Sequence, residues 1–281
     1  MSKKAIGIFD SGIGGLTVLK ELRHLLPEEK LIYFGDTARI PYGTKSRRLV
    51  QQYALEDAAF LMQFDVKMIV VACNTASAMA IDLLKEKIAV PVVGVVLPGA
   101  LGAVRETRKN LVGVIGTSAT INSNAYAERI KKQNEQIQVY SRACPLLVPV
   151  VEEGWLNEKV TYLTLENYLK DILSEQIDAL ILGCTHYPLL HDTIQHVAGN
   201  SVKLIDSGSE TAKFVKETLL QSDLLNKGQR ESDDLFFVSD IPQKFEEIGS
   251  RFLGASLLNV QRIDFDRFLV ENNDKIEKIA F

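Results

Sequence analysis

Two cysteines of this chain sit in matching contexts. Val70-Val71-Ala72-Cys73-Asn74-Thr75 is echoed by Ile181-Leu182-Gly183-Cys184-Thr185-His186, in each case a short apolar run, a thiol, and then hydroxyl, amide or imidazole side chains. A single cysteine after an apolar strand is ordinarily a small buried hydrophobe; a matched pair points to chemistry. Each is read as ending a strand and preceding a helix, whose N-terminal dipole favours a thiolate. Thiols on opposite faces of a planar carbanion can remove a proton from one side and deliver one from the other, which is racemisation. The unperturbed thiol pKa of about 8.5 lets one partner be thiolate while the other keeps its proton. An amino-acid α-proton is about ten or more pKa units less acidic than a thiol, a gap of at least ~14 kcal/mol, so the site must stabilise the developing charge. Backbone amides and side chains of Ser11, Asn74, Thr75 and Thr185 are suitable donors to a substrate carboxylate. Asp10 and His186 are candidates for tuning the two thiols, with a helix N-cap and a packed loop histidine as their structural alternatives. The third thiol, in Ala143-Cys144-Pro145-Leu146, has no matching partner and is read as structural.

The elements that must position these groups follow from the alternation of short β-branched runs with helical patterns, the sign of parallel βαβ units. Strands are expected at Ala5 to Phe9, Leu31 to Phe34, Val66 to Val71 and Val92 to Val96, with helices near Leu16 to Leu26, Ser46 to Gln63 and Ala76 to Lys87. The uncharged stretch Ile88 to Val104, broken by Pro91, Gly94, Pro98, Gly99 and Gly102, reads as strand and turn rather than a membrane span. A second series of strands begins near Leu111 to Ile115, Gln138 to Ser141, Ala179 to Leu182 and Lys203 to Ile205. Gly7-Ile8-Phe9-Asp10-Ser11 is echoed by Val114-Ile115-Gly116-Thr117-Ser118, at nearly the same offset that separates the cysteines, which suggests an internal duplication.

The expected fold is therefore α/β, two similar doubly wound parallel-sheet lobes related by pseudo-twofold symmetry. The active site lies between them, at the carboxyl ends of the strands. In the tail, Glu210 to Leu220 reads as a helix, Leu235 to Val238 as a strand, Gln243 to Phe252 as a helix and Leu258 to Val260 as a weak strand. Packing this tail on the first lobe divides the chain into 1–97 plus 208–281 and 98–207. The polar stretch Asn226 to Asp234 is the best surface loop.

Four stretches carry a resemblance: Gly7-Ile8-Phe9-Asp10-Ser11-Gly12-Ile13-Gly14-Gly15-Leu16, Gly35-Asp36-Thr37-Ala38-Arg39-Ile40-Pro41-Tyr42-Gly43, Ala72-Cys73-Asn74-Thr75-Ala76 and Gly183-Cys184-Thr185-His186-Tyr187-Pro188. Over nearly its whole length the chain resembles the cofactor-independent aspartate/glutamate racemase family. The resemblance implies that Cys73 and Cys184 transfer the protons. It implies that Asp10, Ser11, Pro41, Tyr42, Gly43, Asn74, Thr75, Thr185 and His186 line the substrate site, with Asp36 and Glu152 behind them. Glu152 lies in Pro149-Val150-Val151-Glu152-Glu153-Gly154, where the adjacent Glu153 is a rival for the family's acidic position. Aspartate-specific relatives tend to be acidic where this chain has His186, so glutamate is the implied substrate. A frequent homodimer and a supply of D-glutamate for peptidoglycan are implied as well, with no cofactor and no metal.

Composition excludes other classes. The chain has 281 residues, 46% hydrophobic and 24% charged, with only three cysteines, which fits neither a disordered nor a disulfide-rich protein. A net charge of −4 gives no field for nucleic acid or anionic lipid. The Ala5 to Phe9 stretch is too short for a signal-peptide core, which places the protein in the cytosol with free thiols. A zinc site of Cys73, Cys184 and His186 would need a fourth ligand, and no Cys-x-x-Cys marks a disulfide exchanger. Ile8-Phe9-Asp10-Ser11-Gly12 lacks the second aspartate of a phosphotransferase loop, and neither Gly-x-Gly-x-x-Gly nor a Walker motif is present. No lysine has the context of a pyridoxal phosphate Schiff base. A two-lobed amino-acid binder would use the same polar strand ends but would have no need of the paired thiols.

Overall fold

Strands buried on both faces read as unbroken apolar runs, and the first of these, β1 (Ile6–Asp10), is buried at every position. The computed structural model describes residues 3–257, 259–272 and 276. After β1 come α1 (Leu16–Leu25), β2 (Leu31–Gly35), α2 (Arg47–Met62), β3 (Met68–Val71), α3 (Asn74–Lys87), β4 (Val92–Gly94) and α4 (Val96–Glu106). The second series is β5 (Leu111–Gly116), α5 (Ser118–Asn122), α6 (Ala125–Gln133), β6 (Gln138–Ala143), α7 (Leu147–Glu152), α8 (Lys159–Ser174), β7 (Ala179–Gly183), α9 (His191–Ala198), β8 (Lys203–Asp206) and α10 (Ser207–Gln221). The tail contributes β9 (Leu235–Val238), α11 (Pro242–Leu253), β10 (Val260–Arg262) and α12 (Phe265–Glu271).

Two parallel sheets result. One has the order β10-β9-β2-β1-β3-β4 and the other β6-β5-β7-β8. Within each series the strands stand in the same order, second, first, third, fourth, which is what a duplicated βαβ unit produces. The tail strands extend the first sheet, β9 pairing with β2. Register brings the strand ends level: Asp10 stands opposite Gly35, and Gly116 opposite both Ala143 and Gly183. The polar residues that follow these positions therefore emerge at one height on each sheet. The edge strand β6 is polar and only partly buried, as an unpaired edge should be.

The stretch expected as strand and turn from Ile88 to Val104 is corrected by the structure. β4 ends at Gly94, and Val96–Glu106 is helical despite its proline and glycines. Pro98 falls in the first turn, where no intrahelical N–H is required. Gly102 lies so close to α10 that a Cβ there would stand 2.8 Å from the Glu210 side chain. The glycines in α4 are thus packing positions rather than breakers. The weak strand expected at Leu258 to Val260 is displaced to Val260–Arg262, and Leu258 lies outside the described residues. Among the described residues no helix is long and apolar enough to cross a membrane.

Candidate active site

The strand ends of both sheets open onto one cavity of about 430 Å³. β1 delivers Ser11, β3 delivers Cys73, Asn74 and Thr75, and β7 delivers Cys184, Thr185 and His186. The turn after β2 adds Pro41, Tyr42 and Gly43, and the end of α7 adds Glu152. Asp10, expected on the wall, is buried behind it, as is Asp36, which was expected there; Glu152, expected behind the wall, lies on it. The interior is also met by residues that motif reading did not single out as site residues. They include Thr117 and Ser118 after β5, Val148 on α7, and Asp240, Ile241 and Phe245 on and before α11. The Thr117-Ser118 echo of Asp10-Ser11 is the one signal that could have flagged part of this set; the apolar members had none.

Cys73 is the N-cap of α3, its sulfur accepting the Ala76 N–H at 3.5 Å and its thiol donating toward Ser11 Oγ at 3.6 Å. A helix N-terminus favours thiolate, but here burial wins: it pushes the Cys73 thiol up to about 12, and the nearby Asp10 charge works in the same direction. The thiol is therefore held protonated at neutral pH. Asp10 accepts the Gly12 N–H at 2.9 Å through Oδ2, while its buried Oδ1 has no hydrogen-bond partner among the described residues. Burial raises the Asp10 carboxyl, opposed by His186 and by the amides of the Gly12–Gly15 turn. Next to Cys73, Asn74 accepts the Tyr126 hydroxyl at 2.6 Å, and its buried Nδ2 has no partner among the described residues. A buried amide donor left open on a cavity wall is a natural seat for a carboxylate.

The environment of Cys184 differs. Both thiols were expected to precede helix N-termini, but Cys184 is followed by a single 3₁₀ turn over Tyr187–Leu190 that contains Pro188, and α9 starts only at His191. In place of a helix dipole Cys184 has an imidazole: its sulfur lies 3.9 Å from His186 Nδ1, and His186 Nε2 lies 3.0 Å from Glu152 Oε1. Burial works against charge on this ring, but Cys184 and Glu152 more than offset it and raise the His186 pKa to about 10. His186 is thus an imidazolium at neutral pH, with both ring nitrogens donating. Glu153 is not on the cavity wall, so position 152 is the acidic residue the site uses. Replacing Glu152 by glutamine is expected to lower the His186 pKa toward the ordinary 6.5, because the counter-charge is lost while burial remains. A ¹⁵N NMR titration of the imidazole checks this, and an unmoved midpoint would sink it.

Behind Tyr42 lies a buried carboxylate cluster. Arg39 Nε meets Asp36 at 2.6 Å, its Nη2 meets Asp57 at 3.0 Å, and its Nη1 bonds Glu56. The guanidinium also stacks over the Tyr53 and Phe265 rings at 4.1 and 4.8 Å. Tyr42 donates its hydroxyl to Asp36, and Asp57 Oδ2 stands 3.0 Å from the same oxygen. Burial and the neighbouring Asp36 push the Asp57 carboxyl well up, opposed by Arg39 and by the hydrogen bond from the Tyr42 hydroxyl. Asp36 is accordingly a support for the Tyr42–Gly43 turn rather than part of the cavity wall.

The two halves meet without slack. Thr75 Oγ1 lies 2.9 Å from Thr117 Oγ1, and Thr17 donates to the Thr185 carbonyl at 2.9 Å. A Cβ on Gly14 would stand 2.1 Å from Thr185 Oγ1 and 2.6 Å from His186 Nδ1. Gly14→Ala is therefore expected to lower turnover by about tenfold or more and to destabilise by ~1–3 kcal/mol, the range for overpacking. Wild-type activity and melting temperature in that variant would contradict this packing.

Comparison with known proteins agrees with the geometry. Residues 14–215 match the family described as Asp/Glu/Hydantoin racemase. The chain is similar to the glutamate racemase of Geobacter metallireducens, with 52% identity over 266 residues, 95% of this chain and 98% of the relative. It is also similar to that of Neisseria meningitidis serogroup A, with 48% identity over 262 residues, 93% and 97% of the two chains. Among solved structures, glutamate racemase from Francisella tularensis in complex with D-glutamate matches with a TM-score of 0.89. That match has 44% identity and covers 95% of this chain and 100% of that one. Glutamate racemase from Thermus thermophilus in complex with beta-chloro-D-alanine matches with a TM-score of 0.86 and 45% identity over 94% and 98%.

Proposed function

The chain belongs to the Asp/Glu/Hydantoin racemase family, and from that premise we propose that it is a glutamate racemase that interconverts L- and D-glutamate by proton transfer between Cys73 and Cys184, without a cofactor. What carries this reading is the meeting of two thiols from different sheets in one cavity, in opposite electrostatic settings. Cys73, protonated by burial, is the acid of the resting site. Cys184, whose sulfur lies 3.9 Å from His186 Nδ1, is the base in this reading.

In one direction the Cys184 thiolate takes the α-proton, the C–H electron pair stays on carbon, and the Cys73 S–H bond breaks as its proton reaches the opposite face. The transfer leaves Cys184 as the thiol and Cys73 as the thiolate, the state from which the site takes the other enantiomer. The reverse reaction starts from Cys73 as the thiolate and Cys184 as the thiol, and the Asp10 carboxyl is the ionisable group whose charge bears on Cys73. The Asn74 amide, the Ser11, Thr75 and Thr185 hydroxyls and the backbone of the Tyr42–Gly43 turn hold the glutamate carboxylates and spread the charge of the carbanion. The product D-glutamate supplies peptidoglycan synthesis, as the family resemblance implies.

Incubating either glutamate enantiomer with the protein in deuterium oxide is the test. Loss of the α-proton signal together with loss of optical rotation is the expected result. Folded protein that binds glutamate with neither change would overturn the reading in favour of a binding protein.

A further inference from the structure

Helix α11 belongs to the tail, beyond residue 215 where the family match ends, yet it reaches across to the half of the site built by the second sheet. Phe252 is buried, and its ring meets the His186 imidazole edge to face, with centroids 5.3 Å apart and planes at 88°. The preceding residue, Arg251, donates from Nη1 to the Glu152 carbonyl at 3.0 Å. Its guanidinium also lies against Gly154, where φ is +77° and a Cβ would stand 2.8 Å from Nη1. Adjacent residues at one helix end therefore touch both members of the His186–Glu152 pair.

We propose that Phe252 and Arg251 are positioning residues for the His186–Glu152 acid–base pair, so that the chain's tail sets the proton-transfer geometry at Cys184. An imidazole hydrogen-bonded at each nitrogen can still swing about the line joining its two partners. Gly14 bounds the ring near Nδ1, and Phe252 bounds it through the edge-to-face contact. Arg251 fixes the other end of the line, because Glu152 closes α7 and its position follows its own backbone. Of the titratable groups around His186, Cys184 and Glu152 are its direct partners and Asp10 acts through its charge. Neither Phe252 nor Arg251 lines the cavity, and both act through those partners.

This inference rests on the racemase reading for its kinetic consequence but not for its structural one, and the experiment separates the two. Phe252→Leu keeps an apolar side chain and removes the ring; Arg251→Ala removes the donor from an exposed position, and Arg251→Lys restores one. Phe252→Leu is expected to lower kcat about tenfold with KM within about twofold, the signature of misplaced chemistry rather than lost binding. In the same variant the His186 ¹⁵N titration should move to lower pH. Arg251→Ala should lose about three- to fivefold in kcat, and Arg251→Lys should recover most of it. Should Phe252→Leu fail to fold, the Arg251 pair decides alone. Folded variants with unchanged kcat and an unchanged His186 titration would overturn the proposal. A shifted titration in variants of a protein that does not racemise glutamate would sustain the positioning role while sinking the proposed function.

Discussion

Replacing either Cys73 or Cys184 by serine is expected to reduce glutamate racemisation at neutral pH by about 10²- to 10⁴-fold, the range that positioned acid–base groups contribute. The alcohol keeps the volume and the hydrogen bonds but is a far weaker acid than a thiol, so neither proton removal nor proton return is matched to cellular pH. Because two enantiomers have equal free energy, kcat/KM must fall alike in both directions, and polarimetry on glutamate cannot tell the two thiols apart. An analogue that irreversibly eliminates a leaving group after the α-proton is removed can, since it needs only the thiol on the proton's side. Each single mutant should then lose elimination with one enantiomer and retain it with the other. A mutant that racemises within tenfold of wild type would remove that thiol from the mechanism.

The second large effect is on stability. Arg39→Ala is expected to cost ~3–5 kcal/mol, the range for breaking a buried ion pair from one side. It leaves Asp36 and Asp57, both fully buried, facing each other and Glu56 with no cation among them. The pH dependence has a definite sign. Asp57 is raised well above 3.8 by burial and by Asp36, so its protonated form stabilises the fold at low pH and that contribution is lost as pH rises through its folded pKa. Without Arg39 the loss steepens, so the variant should be closest to wild type near pH 5 and fall furthest below it near pH 8. Thermal unfolding across that range checks it. A pH-independent deficit in Arg39→Ala would mean that the arginine acts only by packing on Tyr53 and Phe265.

Much of this was legible because local pattern carries it. Parallel strands that are covered on both faces need unbroken apolar runs, so β1, β2 and β7 were readable within a residue or so of their ends. The paired thiols were readable because a polar group that ends such a run must emerge at the carboxyl edge of a sheet, where ligands bind. Helix α4 was not, because Pro98, Gly99 and Gly102 read as breakers until the facing side chains of Ser207, Tyr126 and Glu210 show what the glycines make room for.

The sequence by itself determined which polar groups end the buried strands, since residue type and an unbroken apolar run are local properties. The tertiary structure alone decided what surrounds each group. Cys73 and Cys184 look alike in the chain, but one is desolvated beside Asp10 and the other faces an imidazole held by Glu152. Desolvation and Coulomb energy depend on neighbours brought from distant parts of the chain. For the same reason the role of the tail could not be read: Phe252 meets His186, and Arg251 meets Glu152, only once β9 has joined the first sheet.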